Sequence, residues 1–526
     1  MLIPHHLVQR NVGLVFIVLI LCGRWTPIQA QSQSSASLGL NEVYVPTDTA
    51  EYIKTPLEDI EYKLEASGNY SFDSKHTPFW LHSNRYGLGG ITPRNGHVRA
   101  GISRSYKNDS NRNWKVGYGL DLVAAHNYTS DVFIQQLYAD IAYKNVLLSI
   151  GAKERCANLK NDELSTGSQT LGINARPIPE IRFEIPEYIS ISGKDKWLSI
   201  RGHVGYGFTT DGGWQRNFTK HGNRYLRQVL YHSKSGFLRI GNEDKFPLTL
   251  EGGVEMAAMF GGKLYDQYGI CTNLYGGLKD FVKIFFVKGA DVGETVYTNA
   301  LGNTVGSWLF SLKYKGPNWS ARFYYDHFFE DHSALFWEYG WKDAIYGLEL
   351  SLPKNRFVST VVYEYMYTKY QSGPIYHDHT AAIPDQISAA DNYYNHGIYN
   401  GWQHWGQAIG NPLYISPIYN NDGNFKFKSN RFSAHHIGIC GDPTEDLHYR
   451  LLFTYSQHLG TYAEPLDDKK YQRSFLCELT YSPSRIGRWN AKGWSATAAF
   501  GIDRSSLTGN NQGIQFTIRK TGLFSL

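Results

Sequence analysis

The most constraining feature of the sequence is a strict alternation of apolar and polar residues in short segments. In the segment from Trp114 to Ala124, alternate residues are apolar, and the residues between them include Lys115 and Asp121. The same pattern recurs over residues 197–208, 319–330, 447–458 and 512–520. Because successive residues of a β-strand point to opposite faces, each segment predicts a strand with one apolar and one polar face.

Both a soluble β-sandwich and a membrane β-barrel are built from such strands. The segments are roughly 9–12 residues long, which is the length that a tilted strand needs to cross a bilayer. Aromatic residues make up 15% of the chain, and many stand at segment ends, as in interfacial girdles. The polar faces combine charged residues with glycine and serine, which suits a wet interior. We therefore predict an all-β protein, a transmembrane antiparallel β-barrel of the outer-membrane type.

The connections between the segments indicate the size of the barrel. Short connections, such as Lys144-Asn145, 315–318 and 353–355, contain the residues that tight turns require. Long connections alternate with them, at 155–168, 209–223, 261–279, 288–306 and 370–430. Roughly 18–20 candidate strands fit this pattern, which predicts a barrel of about 18 strands with room for water or a plug. The aromatic-rich 370–430 loop is expected to form a plug or an extracellular cover.

The N-terminus predicts export to the outer membrane. It has a weakly basic start, a short apolar run from Val12 to Leu21 and a small residue, Ala30, at the expected cleavage position. We assign residues 1–30 to a signal peptide cleaved near Ala30, residues 31–60 to a periplasmic segment and residues 61–526 to the barrel.

Composition excludes several other classes of protein. The net charge is only +5, without a basic cluster, which argues against nucleic-acid binding. A mean hydropathy of −0.39 argues against a bundle of transmembrane helices. Of the 5 cysteines, Cys22 lies in the signal peptide and the others are scattered without a CxxC pair. This is not the pattern of a disulfide scaffold, although one bridge stays an alternative to free thiols.

No motif in the sequence identifies an active site. The nucleophile elbow, the HExxH motif and the phosphate-binding loop are all absent. We interpret His377-Asp378-His379 as a polar loop segment. Asp326 and Glu364 are a conceivable glycosidase pair, but carboxylates this common also occur together by chance. We therefore predict a non-catalytic protein without a cofactor or a metal site.

Binding of a polysaccharide requires other groups. Sugar rings pack against flat aromatic faces, and an acidic glycan adds a need for the planar arginine fork. On the predicted inward faces, the candidates are Arg201, His203, Arg322, Tyr324, Asp326, Glu364, His448 and Arg450. In the 370–430 loop, the candidates are Tyr393, Trp402 and Trp405. For any single lumen residue, the alternative is that its charge pairs across the barrel and stiffens it.

Several short motifs occur in order along the chain. The first part of the predicted barrel contains Ser67–Tyr70, Pro78–Leu81 and Asn84–Gly87, and the long loop contains Asp391–Gly397 and Gly410–Leu413. In these motifs, the chain resembles the capsule-assembly Wzi family of outer-membrane proteins, in the form found in the Bacteroides group. Segments 431–438 and 518–522 also fit, so the resemblance covers most of the predicted mature chain.

The resemblance implies a barrel that binds capsular or another surface polysaccharide and helps to assemble or anchor it at the cell surface. Its partners would be that polysaccharide and outer-membrane lipid, and it would act as a lectin, not as an enzyme. Two alternatives remain, a diffusion porin or uptake channel and a barrel-borne hydrolase. Enterobacterial members of the family carry a helical bundle as a periplasmic plug, for which the segment before the barrel is too short here.

Overall fold

The structure is a computed structural model. It describes residues 57–109, 112–220, 223–274, 276–287, 302–330, 341–371, 375–377, 386–388 and 391–524. The predicted signal peptide (1–30) and nearly all of the predicted periplasmic segment (31–60) lie outside these residues, as do Asp378 and His379.

The described strands include an antiparallel sheet of 18 strands, in which each strand pairs with the next along the chain. They are β1 (Glu61–Ser71), β2 (Arg94–Arg104), β3 (Trp114–His126), β4 (Val132–Tyr143), β5 (Val146–Ala152), β6 (Glu180–Ser190), β7 (Leu198–Phe208), β8 (Leu230–Ile240), β9 (Leu248–Phe260), β10 (Asn303–Lys315), β11 (Ser320–Glu330), β12 (Ala344–Ser351), β13 (Thr360–Tyr367), β14 (Phe432–Thr444), β15 (Leu447–Gly460), β16 (Pro465–Tyr481), β17 (Trp494–Ser505) and β18 (Asn511–Leu523). β18 pairs with β1, with Arg519 opposite Glu65, so the sheet closes. The predicted all-β barrel of about 18 strands is confirmed.

The connections divide between two rims. Both chain ends of the barrel, Glu61 and Leu523, lie at the rim that carries the short turns, such as Lys144-Asn145. Connections 72–93, 153–179, 209–229 and 368–431 lie at the other rim. Outer-membrane barrels place short turns in the periplasm and long loops outside the cell, so we name these the periplasmic rim and the extracellular rim.

Side-chain burial places the apolar faces on the outside of the barrel. On β3, Leu122 is 46% exposed, whereas the neighbouring Asp121 points inward and is 4% exposed. The Arg99 guanidinium on β2 donates from Nε to both Asp121 carboxylate oxygens, at 2.9 and 2.7 Å. Apolar side chains therefore face lipid and charged side chains pair inside, which is the reverse of a soluble β-sandwich.

Other elements occupy the connections. The helices are α1 (Phe79–His82), α2 (Gly212–Phe218) and α3 (Leu278–Phe285), and 3-10 turns cover Tyr106–Asn108, Gly193–Asp195 and Pro417–Tyr419. Short strands cover Tyr225–Arg227, Lys263–Tyr265, Cys271–Asn273, Ile375–His377, Gln386–Ser388, Gln403–His404, Gln407–Ala408, Arg485–Ile486 and Trp489–Asn490. Within the described residues, no helix has both the length and the apolar character to cross a membrane.

One connection differs from its prediction. The sequence predicts two separate connections, 261–279 and 288–306, whereas the structure has one connection between β9 and β10, and this connection contains α3. Its large apolar residues recur every three or four positions, and this helical period takes the place of strand alternation. The Tyr206 hydroxyl on the outward face of β7 donates to the Phe281 carbonyl at 3.0 Å. α3 therefore packs on the outer wall of the barrel, near the extracellular rim.

Extracellular connections also fold into the lumen. We name this material the plug: residues 72–93, 153–179, 209–220 and 391–431. Trp402, Tyr394 and Tyr414 in the plug are 0% exposed, and the rings of the two tyrosines stack with centres 3.9 Å apart. The Tyr394 hydroxyl accepts the Asn411 backbone N–H at 2.9 Å, which joins the Asp391–Gly397 and Gly410–Leu413 motifs. The long loop thus shares the lumen with three further connections, two of which overlap the predicted connections 155–168 and 209–223.

The lipid-facing surface leads to a prediction for β3. Leu122→Arg should destabilise the barrel by about 2–4 kcal/mol, because this position lies near the middle of the strand and meets lipid hydrocarbon. Val116→Arg, on the same face near the periplasmic rim, should cost only about 0–1 kcal/mol. Urea titration of reversible folding in phospholipid vesicles measures both values, and equal costs would mean that the face does not span the bilayer.

Candidate functional site

Carboxylates on the inner wall hold the plug. Glu255 on β9, Asp326 on β11 and Glu364 on β13 are 0%, 0% and 1% exposed. Each accepts a backbone N–H from one plug segment, with Leu171 bonded to Glu255 at 3.1 Å, Gln169 to Asp326 at 3.2 Å and Thr166 to Glu364 at 2.7 Å. A buried carboxylate requires such partners because its desolvation otherwise costs several kcal/mol. The wall therefore fixes the path of residues 166–171 through the lumen.

The plug residue Lys160 completes this cluster. Its ammonium lies 3.2 Å from Asp326 and 3.9 Å from Glu364, and all three side chains are fully buried. The Tyr324 hydroxyl donates to Glu364 at 2.6 Å. Removing one partner from a buried ion pair costs about 3–5 kcal/mol, so these contacts are important for stability. Three predicted lumen candidates, Tyr324, Asp326 and Glu364, therefore contact protein groups beneath the plug.

Arg201 and His203 lie together on the inner face of β7. The Arg201 guanidinium lies over two aromatic rings, 4.9 Å from the ring centre of Tyr188 and 4.8 Å from that of Phe237. The His203 Nδ1 atom is 2.7 Å from the Ser235 hydroxyl, and the imidazole is buried. Both candidates face the lumen as predicted, and His203 lines a recess together with the plug residues Arg155 and Arg176.

The remaining lumen candidates pair with carboxylates. Arg322 bonds to Glu349, His448 Nε2 lies 2.6 Å from Glu163, and Arg450 lies 3.0 Å from Glu478. These contacts fit the alternative that inward charges pair within the barrel.

The loop candidates differ in accessibility. Tyr393 and Trp402 are 0% exposed. The Tyr393 hydroxyl donates to Asp343 at 2.9 Å, and the Trp402 indole N–H donates to the Thr170 carbonyl at 2.9 Å. Trp405 is half-buried. Its φ of 55° lies in the left-handed region, which non-glycine residues rarely adopt and which is often found at binding sites.

Trp405 forms part of an aromatic platform at the extracellular rim. The Arg176 guanidinium lies between two rings, 3.6 Å from the centre of Phe133 and 4.5 Å from that of Trp405. Burial lowers the pKa of Arg176 to about 9, so the side chain remains cationic at neutral pH. Cation–π contacts of this kind hold the indole in one orientation.

A cavity of about 630 Å³ opens at the extracellular rim, and we name it the rim cavity. Its amide side chains are Asn223, Gln267, Asn392, Asn395, Asn400 and Asn424, its aromatic residues are Tyr399, Phe425 and Phe427, and its charged residues are Arg224, Lys426, Lys428, Asp266 and Glu464. This volume lies within the range of ligand sites.

Hydrogen bonds within the plug fix the floor of the rim cavity. The Asn395 amide donates to the Phe427 carbonyl at 2.9 Å and accepts the Phe427 N–H at 2.8 Å, which ties two parts of the long loop together. The cations above this floor are held loosely, because the Lys426–Glu464 and Lys428–Asp422 pairs are exposed. Exposed pairs contribute little, so their cations can turn toward a ligand.

The sequence did not single out the cations of the rim cavity. Lys426 and Lys428 belong to the long loop, whose asparagine and aromatic content was the available signal. Arg224 comes from another connection, and its guanidinium reaches the Gly397 carbonyl across the fold. No local pattern links these positions.

A second recess, of about 810 Å³, lies at the periplasmic rim. Its cations include Lys107, which pairs with Glu187 at 2.7 Å, and Lys315, which pairs with Glu243 at 3.3 Å. It lies at the opposite end of the barrel from the rim cavity.

Three plug histidines are neutral in the folded protein. Burial lowers the pKa of His82 to about 3 and that of His396 to about 4, and it also lowers the pKa of His404. The His82 Nε2 atom lies 2.6 Å from the Tyr419 hydroxyl. An unfolded histidine binds a proton below about pH 6.5. Acid therefore favours states in which these rings leave the plug.

Comparison with known proteins identifies the fold. No family model matches the chain, and no curated protein matches its sequence. The solved Wzi of Escherichia coli superposes with a TM-score of 0.54 at 13% identity, over 89% of this chain and 85% of that one. The chain has the fold of an outer-membrane β-barrel.

Two further solved structures are similar over the same share of the chain. OccAB3 of Acinetobacter baumannii has a TM-score of 0.45 at 10% identity, over 89% of this chain and 99% of that one. The outer membrane protein opdK of Pseudomonas aeruginosa has a TM-score of 0.44 at 9% identity, with the same coverage of 89% and 99%.

The buried histidines lead to a pH prediction. Between pH 7 and pH 5, protonation of the released His82 should lower the free energy of plug opening by about 2 kcal/mol. His82→Gln should remove this part of the pH dependence, whereas His126→Gln, which changes an exposed histidine, should not. Hydrogen exchange of plug amides, corrected for intrinsic rates, measures the difference. An unchanged pH dependence in His82→Gln would contradict the assignment.

Proposed function

We propose that this protein binds a surface polysaccharide, capsular or otherwise, in the rim cavity, and that it helps to assemble or anchor this polysaccharide at the cell surface without catalysis. The observation that carries the proposal is the rim cavity itself. It opens on the extracellular side, and its floor is a plug hydrogen-bonded to the barrel wall. A site built on such a rigid support holds its groups in place for a ligand.

The side chains of the rim cavity match the chemistry of a sugar chain. Amides such as Asn424 both donate and accept hydrogen bonds, as sugar hydroxyls do. Tyr399 and Phe425 line the cavity but are only 6% and 4% exposed, so they support its wall. Arg224, Lys426 and Lys428 supply cations for carboxylate or phosphate groups. We therefore favour an acidic polysaccharide as the ligand.

The fold comparison supports the same class of ligand. The Escherichia coli Wzi is described as a carbohydrate-binding β-barrel that is involved in group 1 capsule assembly. Its similarity in fold agrees with the motifs that carry the sequence resemblance. The Trp405 platform lies at the same rim and stays a candidate for stacking on a sugar.

The two alternatives have less support in the described residues. A diffusion channel requires an open lumen, whereas Trp402 and Leu164 in the plug are 0% exposed. A hydrolase using Asp326 and Glu364 requires them to meet substrate, but both are buried and bonded to the plug. Single-channel conductance and a hydrolysis assay distinguish these functions from binding.

The proposal predicts that the cations of the rim cavity contribute to affinity. The triple variant Arg224→Gln, Lys426→Gln, Lys428→Gln should bind the purified acidic surface polysaccharide of the host at least tenfold more weakly. One lost charge-assisted hydrogen bond already costs about 1.5–3 kcal/mol. Isothermal titration calorimetry with the detergent-solubilised barrel measures the affinities.

A matched control carries the same loss of charge at the periplasmic rim. Lys194→Gln, Arg488→Gln and Lys492→Gln together change three exposed cations outside the rim cavity. This control should bind as the unaltered protein does. Equal affinities of the two triple variants would contradict the rim cavity as the site. Steady conductance without binding would support the channel alternative.

A further inference from the structure

Three potential metal ligands meet where the plug contacts the inner wall. They are Glu163 from the plug, Cys440 from β14 and His448 from β15. One donor atom from each residue lies within 4.8 Å of the other two. A thiol, an imidazole and a carboxylate are the ligands that zinc uses in proteins. None of these residues belongs to the rim cavity.

A further carboxylate orients the histidine. His448 Nδ1 lies 3.0 Å from Asp442, whereas His448 Nε2 lies 2.6 Å from Glu163. Both ring nitrogens lie within hydrogen-bond distance of a carboxylate and donate to it. A zinc ion on Nε2 would take the place of the proton directed at Glu163, while Nδ1–H stays bonded to Asp442. This carboxylate–histidine arrangement is the one that usually supports a zinc-bound imidazole.

The position of Glu163 is fixed by the wall. The Arg450 guanidinium donates to the Glu163 carbonyl at 3.1 Å. In the next residue, the Leu164 carbonyl lies 2.7 Å from His436 Nε2. The backbone of the plug is therefore held here, while the Glu163 carboxylate can still turn. The three ligand groups are thus placed by rigid elements, which a metal site requires.

Solvent can reach the ligands although the thiol is buried. Cys440 is 5% exposed, whereas the side chains of His448 and Glu163 are 35% and 44% exposed. Zinc bonds of about 2.0–2.3 Å separate neighbouring ligands by about 3.3–3.8 Å in a tetrahedron, so only a small movement of the Glu163 side chain is needed. A water molecule would fill the fourth position.

We propose that Glu163, Cys440 and His448 bind one Zn²⁺ ion, which fastens the plug to the inner wall. Binding replaces the S–H bond of Cys440 by an S–Zn bond and the Nε2–H bond of His448 by an N–Zn bond, and both protons pass to solvent. The thiolate and the Glu163 carboxylate together neutralise the two charges of the ion. A mixed set of sulfur, nitrogen and oxygen ligands favours zinc over magnesium or calcium. Zinc binding at this site does not depend on the proposed binding of a polysaccharide.

Calorimetric titration of the metal-free barrel with zinc chloride tests the proposal. The full mature chain is used in detergent, without a polyhistidine tag. We expect one Zn²⁺ per chain and an affinity that rises with pH, because a thiol proton is released. Cobalt(II) in place of zinc should give a thiolate-to-cobalt charge-transfer absorption band.

The variants distinguish this site from adventitious binding. Cys440→Ser should abolish the cobalt band, whereas Cys477→Ser, which changes another free cysteine on the neighbouring β16, should leave it intact. Asp442→Asn should weaken zinc binding by about 10–100-fold. Glu163→Gln changes an exposed residue of the plug, so the barrel should fold normally while zinc binding weakens. This variant still tests the site if Cys440→Ser fails to fold. Absence of binding, or unchanged binding in both Cys440→Ser and Glu163→Gln, would overturn the proposal.

Discussion

Closure of the sheet through the pairing of β18 with β1 is the constraint on which the rest of the structure depends. In lipid, a backbone N–H or C=O without a partner costs several kcal/mol, and only a closed sheet satisfies all of them between strands. A barrel of 18 strands encloses a lumen much wider than a single layer of side chains. This interior must be filled by water or by protein, and here extracellular connections fold into it.

Filling the lumen with polar backbone creates a second requirement. Each inward N–H needs a partner, and the wall supplies carboxylates at Glu255, Asp326 and Glu364. The same residues need the plug, because a buried charge without partners is costly. The wall and the plug therefore stabilise each other. Inward charged residues that the sequence suggested as glycan-binding candidates form this contact instead. The accessible polar groups remain at the rims, which is where the rim cavity lies.

Much of the fold could be predicted from the sequence, because alternation is a local signal. Strand periodicity, segment length and turn residues identified the barrel and its approximate strand number. The division of 261–306 into two connections was wrong. α3 lies between β9 and β10, and its aromatic residues suit a helix or a strand, so only their spacing distinguishes the two. The short connections around Lys144 and Pro353 were predictable for the same local reason. The inward fold of 72–93 and 209–220 was not, because neither the motifs Pro78–Leu81 and Asn84–Gly87 nor the rest of these segments show locally where the chain turns.

The sequence by itself determined which residues face lipid and which face the lumen, since a period of two assigns each strand residue to one face. It also indicated that the long loop has the composition of an ordered segment. Only the tertiary structure decided which inward charges are buried and which groups are accessible. Arg224 and Lys426 meet at one cavity, and Glu163 meets Cys440 and His448 at the wall, although long stretches of chain separate them. Such encounters depend on how connections fold back through the lumen, and this is set by long-range hydrogen bonds that no local pattern encodes.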